Sequence, residues 1–134
     1  NIKGVYRSIQ AALPYLMKRE RSRIVTFSSM WGQVGASCES HYAASKGAVI
    51  ALTQSLAKEL GPSGVRVNCV SPGTILTDMT AVLGQETLRA LAEETPLERN
   101  GSPEDAARAA AFLCSEAADF ITGQVVAVNG GYIV

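Results

Sequence analysis

Ile24-Val25-Thr26-Phe27 and Val65-Arg66-Val67-Asn68-Cys69-Val70, with a helical stretch from about His41 to Leu60 between them, decide the fold of this chain. Both runs are short, rich in β-branched residues and almost continuously apolar, as strands covered on two faces must be. In the stretch between them, Val49, Leu52, Leu56 and Leu60 mark one helical face, and Ala44, Ala48, Ala51 and Ser55 mark another. A helix apolar on two sides is buried on two sides: one against the sheet, the other suited to a close-packed partner.

Outward from this unit the alternation continues. Ile2, Val5, Tyr6, Ile9, Leu13, Leu16 and Met17 have helical spacing, and Pro14 predicts a kink or a division there. Gly32 to Glu39 reads as a loop, and Gly61-Pro62-Ser63-Gly64 ends the long helix. Ser71-Pro72-Gly73 reads as a sharp break after the second strand. Residues 75–95 are helical but irregular, interrupted at Gly84, and are expected to form a flap. Ser102-Pro103-Glu104-Asp105 has the features of a helix start: a capping hydroxyl, proline in the first turn, then two acids at the positive end of the dipole. Gln124 to Val128 is a last strand, closed by Asn129-Gly130-Gly131. The order predicts an α/β fold with a doubly wound parallel sheet of three strands and flanking helices.

The 134 residues are 47% hydrophobic and 18% charged, which implies a packed core. Twelve basic residues balance twelve acidic ones, so neither nucleic acid nor an anionic membrane is the expected partner. No apolar run reaches the length of a membrane span, and no signal peptide is read. Cys38, Cys69 and Cys114 are widely spaced and odd in number; free thiols in a reducing cytoplasm are expected, with no metal site. The chain begins without an initiator Met and reads as the middle of something longer.

The chemistry sits in His41-Tyr42-Ala43-Ala44-Ser45-Lys46-Gly47 and, before it, Phe27-Ser28-Ser29-Met30-Trp31-Gly32. Tyr42 and Lys46 are four residues apart, one turn from each other on one helix face. A cation so placed favours the ionised form of a phenol and makes it a usable acid. With the Ser29 hydroxyl on the preceding loop, the group reads as a carbonyl-reducing site. A serine hydrolase built on Ser29 and His41 is disfavoured, because no Gly-x-Ser-x-Gly elbow exists.

Ser29, the Tyr42-x-x-x-Lys46 pair, Asn68-Cys69-Val70-Ser71-Pro72-Gly73 with Thr77, Pro96-Leu97-x-Arg99, Phe120-Ile121-Thr122-Gly123 and Asn129-Gly130-Gly131 form an ordered set. Together they resemble the C-terminal half of a short-chain dehydrogenase/reductase, most closely the 3-oxoacyl-[acyl carrier protein] reductases. The resemblance implies a Rossmann-like fold and an NADP(H) cofactor, with NAD(H) as the alternative. It makes Tyr42 the proton donor and Lys46 its partner and the holder of the nicotinamide ribose. It has Ser29 bind the substrate carbonyl and Asn1 hold a water that connects to the lysine. Pro72, Gly73, Ile75 and Thr77 resemble the segment that meets the cofactor's carboxamide and phosphates.

The implied substrate is a ketone, free or carried on an acyl carrier protein, and Arg19, Arg21 and Arg23 are candidates for docking the acidic carrier. A homo-oligomer, dimer or tetramer, is implied through the helices at 1–20 and 41–61. The family's Gly-rich phosphate turn is missing. Residues 1–134 are therefore expected to be the C-terminal part of one domain, lacking the upstream cofactor half and inactive alone. Two alternatives stand beside this reading: a reductase of another ketone, such as a modified lysine on a translation factor, and a non-catalytic fragment that keeps only the oligomer interface.

Overall fold

The computed structural model describes residues 1–134. Strand β1 (Arg23–Phe27) pairs in parallel with β2 (Arg66–Pro72), and β2 with β3 (Val125–Val128), in the order β1-β2-β3. The register sets Phe27 beside Val70 and Pro72 beside Val128. The carboxyl ends of all three strands therefore meet at one end of the sheet.

Helices α1 (Ile2–Leu16) and α3 (Ser40–Leu60) cover one face, and α6 (Pro103–Cys114) covers the other. The pleat of β2 explains both layers, because alternate side chains point to opposite faces. Val67 enters a core with Ile9, Leu56, Ala57, Leu60 and Val65, while Val70 packs with Ala106 and Leu113 of α6. Asn68 points to the α6 side and is fully buried, so its amide needs partners. It finds them in the loop before β3: its Nδ2 donates to the Ile121 carbonyl at 2.8 Å, and its Oδ1 accepts from Gln124 N–H at 3.0 Å. Arg66 closes the far end of α6, donating to the carbonyls of Leu113 and Ser115 at 2.9 and 3.0 Å.

The expected fold class holds, and several local readings change. Pro14 neither divides nor ends α1; the helix runs two residues past it to Leu16, and Met17 N–H still reaches the Leu13 carbonyl at 3.0 Å. The expected loop at Gly32 begins instead with one helical turn, α2 (Trp31–Val34). Strand β2 runs through Ser71 and Pro72 rather than breaking there. Pro72 has no N–H to lose, and its carbonyl accepts from Met30 N–H at 2.9 Å. The flap is a short helix α4 (Asp78–Ala81) and a longer α5 (Gln85–Glu94), with Gly84 between them at φ +79°. Helix α6 starts as its sequence predicts. Ser102 Oγ accepts from Asp105 N–H at 3.2 Å, and Asp105 Oδ2 accepts from Ser102 N–H at 2.8 Å.

Candidate active site

A cleft of about 710 Å³ opens at the carboxyl ends of β1 and β2 and runs beneath the flap. Six of the eight residues singled out from the sequence line it: Ser29, Tyr42, Pro72, Gly73, Ile75 and Thr77. Lys46 stands behind Tyr42, and Asn1 touches the same helix from outside.

Tyr42 and Lys46 lie in the first two turns of α3. Lys46 Nζ is 5.8 Å from the centre of the Tyr42 ring. It donates to the Phe27 carbonyl, the last of β1, at 3.1 Å. Partial burial holds its amine below the ordinary lysine range, and the neighbouring Cys69 opposes that shift. Cys69 lies fully buried on β2, and burial pushes its thiol up. Asn1 Nδ2 donates to Ser45 Oγ at 3.1 Å, and that hydroxyl donates to the Tyr42 carbonyl at 2.8 Å. Asn1 therefore meets the turn that joins Tyr42 to Lys46.

The two serines after β1 divide their work. Ser28 Oγ donates to the Lys46 carbonyl at 2.8 Å and fastens β1 to α3. Ser29 Oγ accepts from Trp31 N–H at 3.3 Å and faces the cleft. Gly32 lets α2 press on α3: a Cβ there would stand 2.7 Å from both the Lys46 carbonyl carbon and Ser28 Oγ. This contact brings the Ser29 turn and the Tyr42 helix side by side.

The opposite wall is equally fixed. Gly73 N–H donates to the Val128 carbonyl at 3.0 Å, and a Cβ on Gly73 would meet Asn129 Cα at 2.8 Å. Gly101 N–H donates to the Thr74 carbonyl at 2.8 Å, and Leu76 N–H to the Gly101 carbonyl at 2.9 Å. The segment from Gly73 to Thr77 is held open along the cleft by these bonds. Thr77 also occupies the N-cap position of α4, its N–H donating to Thr80 Oγ1 at 2.9 Å.

Three residues given no role of their own from the sequence belong to this neighbourhood. Gln33 Oε1 accepts from the buried Ser71 hydroxyl at 2.8 Å and ties α2 to β2. Glu39 is the one charged side chain lining the cleft. Tyr132, near the chain end, sets its ring edge-on to Trp31. Gln33 and Glu39 lie close in sequence to Ser29 and Tyr42, but their contacts, like those of Tyr132, are set by how α2 and α3 pack. The arginines considered for carrier docking stand elsewhere. Arg23 opens β1 and Arg21 precedes it, at the sheet end opposite the cleft, and both pair with Asp119, at 3.5 and 4.0 Å.

The profile of the family described as enoyl-(acyl carrier protein) reductase matches residues 1–133. The chain is 47% identical over 131 residues to a 3-oxoacyl-[acyl-carrier-protein] reductase FabG of Aquifex aeolicus, covering 98% of this chain and 53% of that protein. It is 42% identical over 132 residues to YmfI, an uncharacterised oxidoreductase of Bacillus subtilis, covering 98% of this chain and 54% of that one. Among solved structures, a short-chain dehydrogenase/reductase of the glucose/ribitol dehydrogenase type from Brucella melitensis superposes with a TM-score of 0.93 at 44% identity. That match covers 99% of this chain and 53% of the other. A 3-oxoacyl-[acyl-carrier protein] reductase from Brucella melitensis superposes at 0.92 with 39% identity, covering 99% and 50%. The chain spans about half the length of the relatives it matches.

Proposed function

Because the chain belongs to the short-chain dehydrogenase/reductase family, we propose that it is the catalytic, carboxyl-terminal part of a ketone reductase acting with NADP(H) or NAD(H). Within that class the favoured substrate is a 3-oxoacyl group on an acyl carrier protein. The observation that carries the reading is the convergence of Ser29 and Tyr42 on one cleft with the Lys46 ammonium beside the tyrosine ring.

Reduction adds a hydride to the carbonyl carbon and a proton to its oxygen. The cleft's position at the strand ends and the backbone line from Pro72 to Thr77 fit the nicotinamide end of a dinucleotide. Lys46 and that segment would hold it, and when bound it supplies the hydride. Ser29 Oγ donates to the carbonyl oxygen and steadies the charge that grows there. Tyr42 gives that oxygen its proton. Lys46 compensates the charge left on the phenol, and Asn1, through Ser45, steadies the turn that spaces the two. Homo-oligomerisation through the outer faces of α1 and α3 belongs to the same proposal; Tyr6, Tyr15, Ala51 and Ser55 are exposed there. So does a cytoplasmic location, supported by three free cysteines; no helix is long and apolar enough to cross a membrane.

Glu39 favours a second reading. A lone acid in the cleft suits a ketone that carries an amine, as on a modified lysine of a translation factor. One experiment separates the two. The full-length protein is assayed for NADPH and NADH oxidation with an acetoacetyl thioester on acyl carrier protein and with an amino-ketone. Turnover of the thioester, lost in Tyr42→Phe, is expected. Turnover of the amino-ketone alone selects the second reading, and turnover of neither by a correctly folded protein overturns both.

A further inference from the structure

Tyr132 joins three segments that are distant in sequence. Its ring meets Trp31 of α2 edge-on, with centroids 6.0 Å apart and planes at 85°. Its hydroxyl donates to Glu94 Oε2, in the last residue of α5, at 2.8 Å. Trp31 and, from α5, Thr87 and Leu91 line the cleft, so the tyrosine holds two of its walls together from behind.

The preceding turn aims it there. Asn129 Oδ1 accepts from Gly131 N–H at 3.0 Å, and the Asn129 carbonyl accepts from Tyr132 N–H at 3.1 Å. Gly130 and Gly131 have φ of +65° and +88°, and the first has room for no side chain: a Cβ would stand 2.5 Å from Thr95 Cγ2. The turn thereby seats on Thr95 and Pro96, at the foot of α5. Leu97 N–H fastens that foot to the Gly130 carbonyl at 3.2 Å.

We propose that Tyr132 is a positioning residue that latches α5 across the cleft and so sets how long a ketone the site accepts. With the latch made, the wall formed by Trp31 and Leu91 has one spacing. Without it, α5 keeps its foot at Thr95 and the bond from Asn100 Nδ2 to the Leu88 carbonyl at 2.8 Å, but its last turn loses the tie that spaces Leu91 from Trp31. Long substrates that lean on this wall then bind less well, while the chemistry at Tyr42 is untouched. The inference deepens the ketone-reductase reading and rests on it for the substrate.

The test uses the full-length protein with short- and long-chain 3-oxoacyl thioesters, and hydrogen exchange of the α5 amides. Tyr132→Phe keeps the ring and removes the donor; Glu94→Ala removes the acceptor from an exposed site; Glu94→Gln leaves an amide oxygen that still accepts. The first two are each expected to raise KM for the long substrate about fivefold, with kcat and the short substrate nearly unchanged, and to speed α5 exchange. The double variant is expected to be no worse than either alone, and Glu94→Gln close to the parent. Additive losses, or α5 exchange unchanged in Tyr132→Phe and Glu94→Ala, overturn the latch. If the parent reduces no ketone, the functional reading fails, and α5 exchange still decides the latch by itself.

Discussion

Lys46 Nζ donates to the Phe27 carbonyl at 3.1 Å while standing 5.8 Å from the centre of the Tyr42 ring. The end of β1 therefore fixes the cation that the tyrosine feels. That bond ties the ammonium to the strand end, and α3 sets its distance to the phenol.

Replacing either member of the pair should stop turnover without unfolding the protein. Tyr42→Phe is expected to lower kcat by about 10²- to 10⁴-fold, and Lys46→Met by a comparable factor, with circular dichroism unchanged. The two also differ in stability. Burial lowers the folded-state pKa of Lys46 from 10.5, so the unfolded chain binds that proton more tightly. The handicap is present below the lowered pKa and fades as the pH rises toward the unfolded value. Lys46→Met should compare better with the parent at neutral pH than near pH 10. Urea midpoints measured across that range check the sign, and a difference independent of pH contradicts it.

Ser29 makes one intramolecular hydrogen bond through its hydroxyl, a long one as acceptor from Trp31 N–H. Ser29→Ala should therefore cost little stability yet, on the proposed function, lower kcat by roughly 10²-fold, since the donor proposed for the substrate oxygen is gone. Ser28→Ala should show the reverse: its hydroxyl bridges β1 to α3, so the melting temperature falls while the carbonyl contact survives. Melting curves paired with steady-state kinetics distinguish the two, and equal effects on both quantities in both variants contradict the assignment.

Two glycines should respond in opposite directions. Gly4 lies in the first turn of α1 with nothing within 4 Å of the place a Cβ would take, so Gly4→Ala should stabilise by about 0.5 kcal/mol. Gly73→Ala would drive a Cβ to 2.8 Å from Asn129 Cα, where only backbone movement gives relief. A loss of about 1–3 kcal/mol by urea titration is expected, together with weakened cofactor binding.

Asp105 joins a bidentate pair with Arg99, at 2.8 and 3.1 Å, and also caps Ser102 N–H. The Arg99 guanidinium, followed by the Ser102 bonds, holds its carboxyl well below the usual carboxylate range. Its contribution is present above the unfolded value of 3.8 and is lost as the pH falls through the depressed one. Asp105→Asn should lower the melting temperature at pH 7, and the gap should close on acidification below about pH 4. A gap of constant size would show that the pair does not contribute through its charge.

The fold was legible because its main elements are set by local pattern. The apolar runs of β1 and β2, the two-faced helix α3, the Ser102 cap and the Gly84 interruption all carry their signal within a few residues. The Tyr42–Lys46 face followed from helix geometry alone. What escaped was decided by neighbours far along the chain. Trp31-Gly32-Gln33-Val34 has poor helix propensity and forms its turn against α3. Ser71 and Pro72 stay in the strand because Met30 and β3 pair with the backbone beside them. Tyr132 and Glu94 are 38 residues apart, a relation no local pattern encodes.

The close passage of Gly32 over Lys46 has a consequence for how such a protein changes over time. Ser29, Tyr42 and Lys46 are spaced by two backbones in contact, so the largely exposed stretch from Gly35 to Cys38, ahead of the Glu39 cap, bears little of that spacing. It can be lengthened, recharged or exchanged while those three residues keep their places. On the proposed function, the approach to the cleft can vary there from one descendant to the next without moving Ser29, Tyr42 or Lys46.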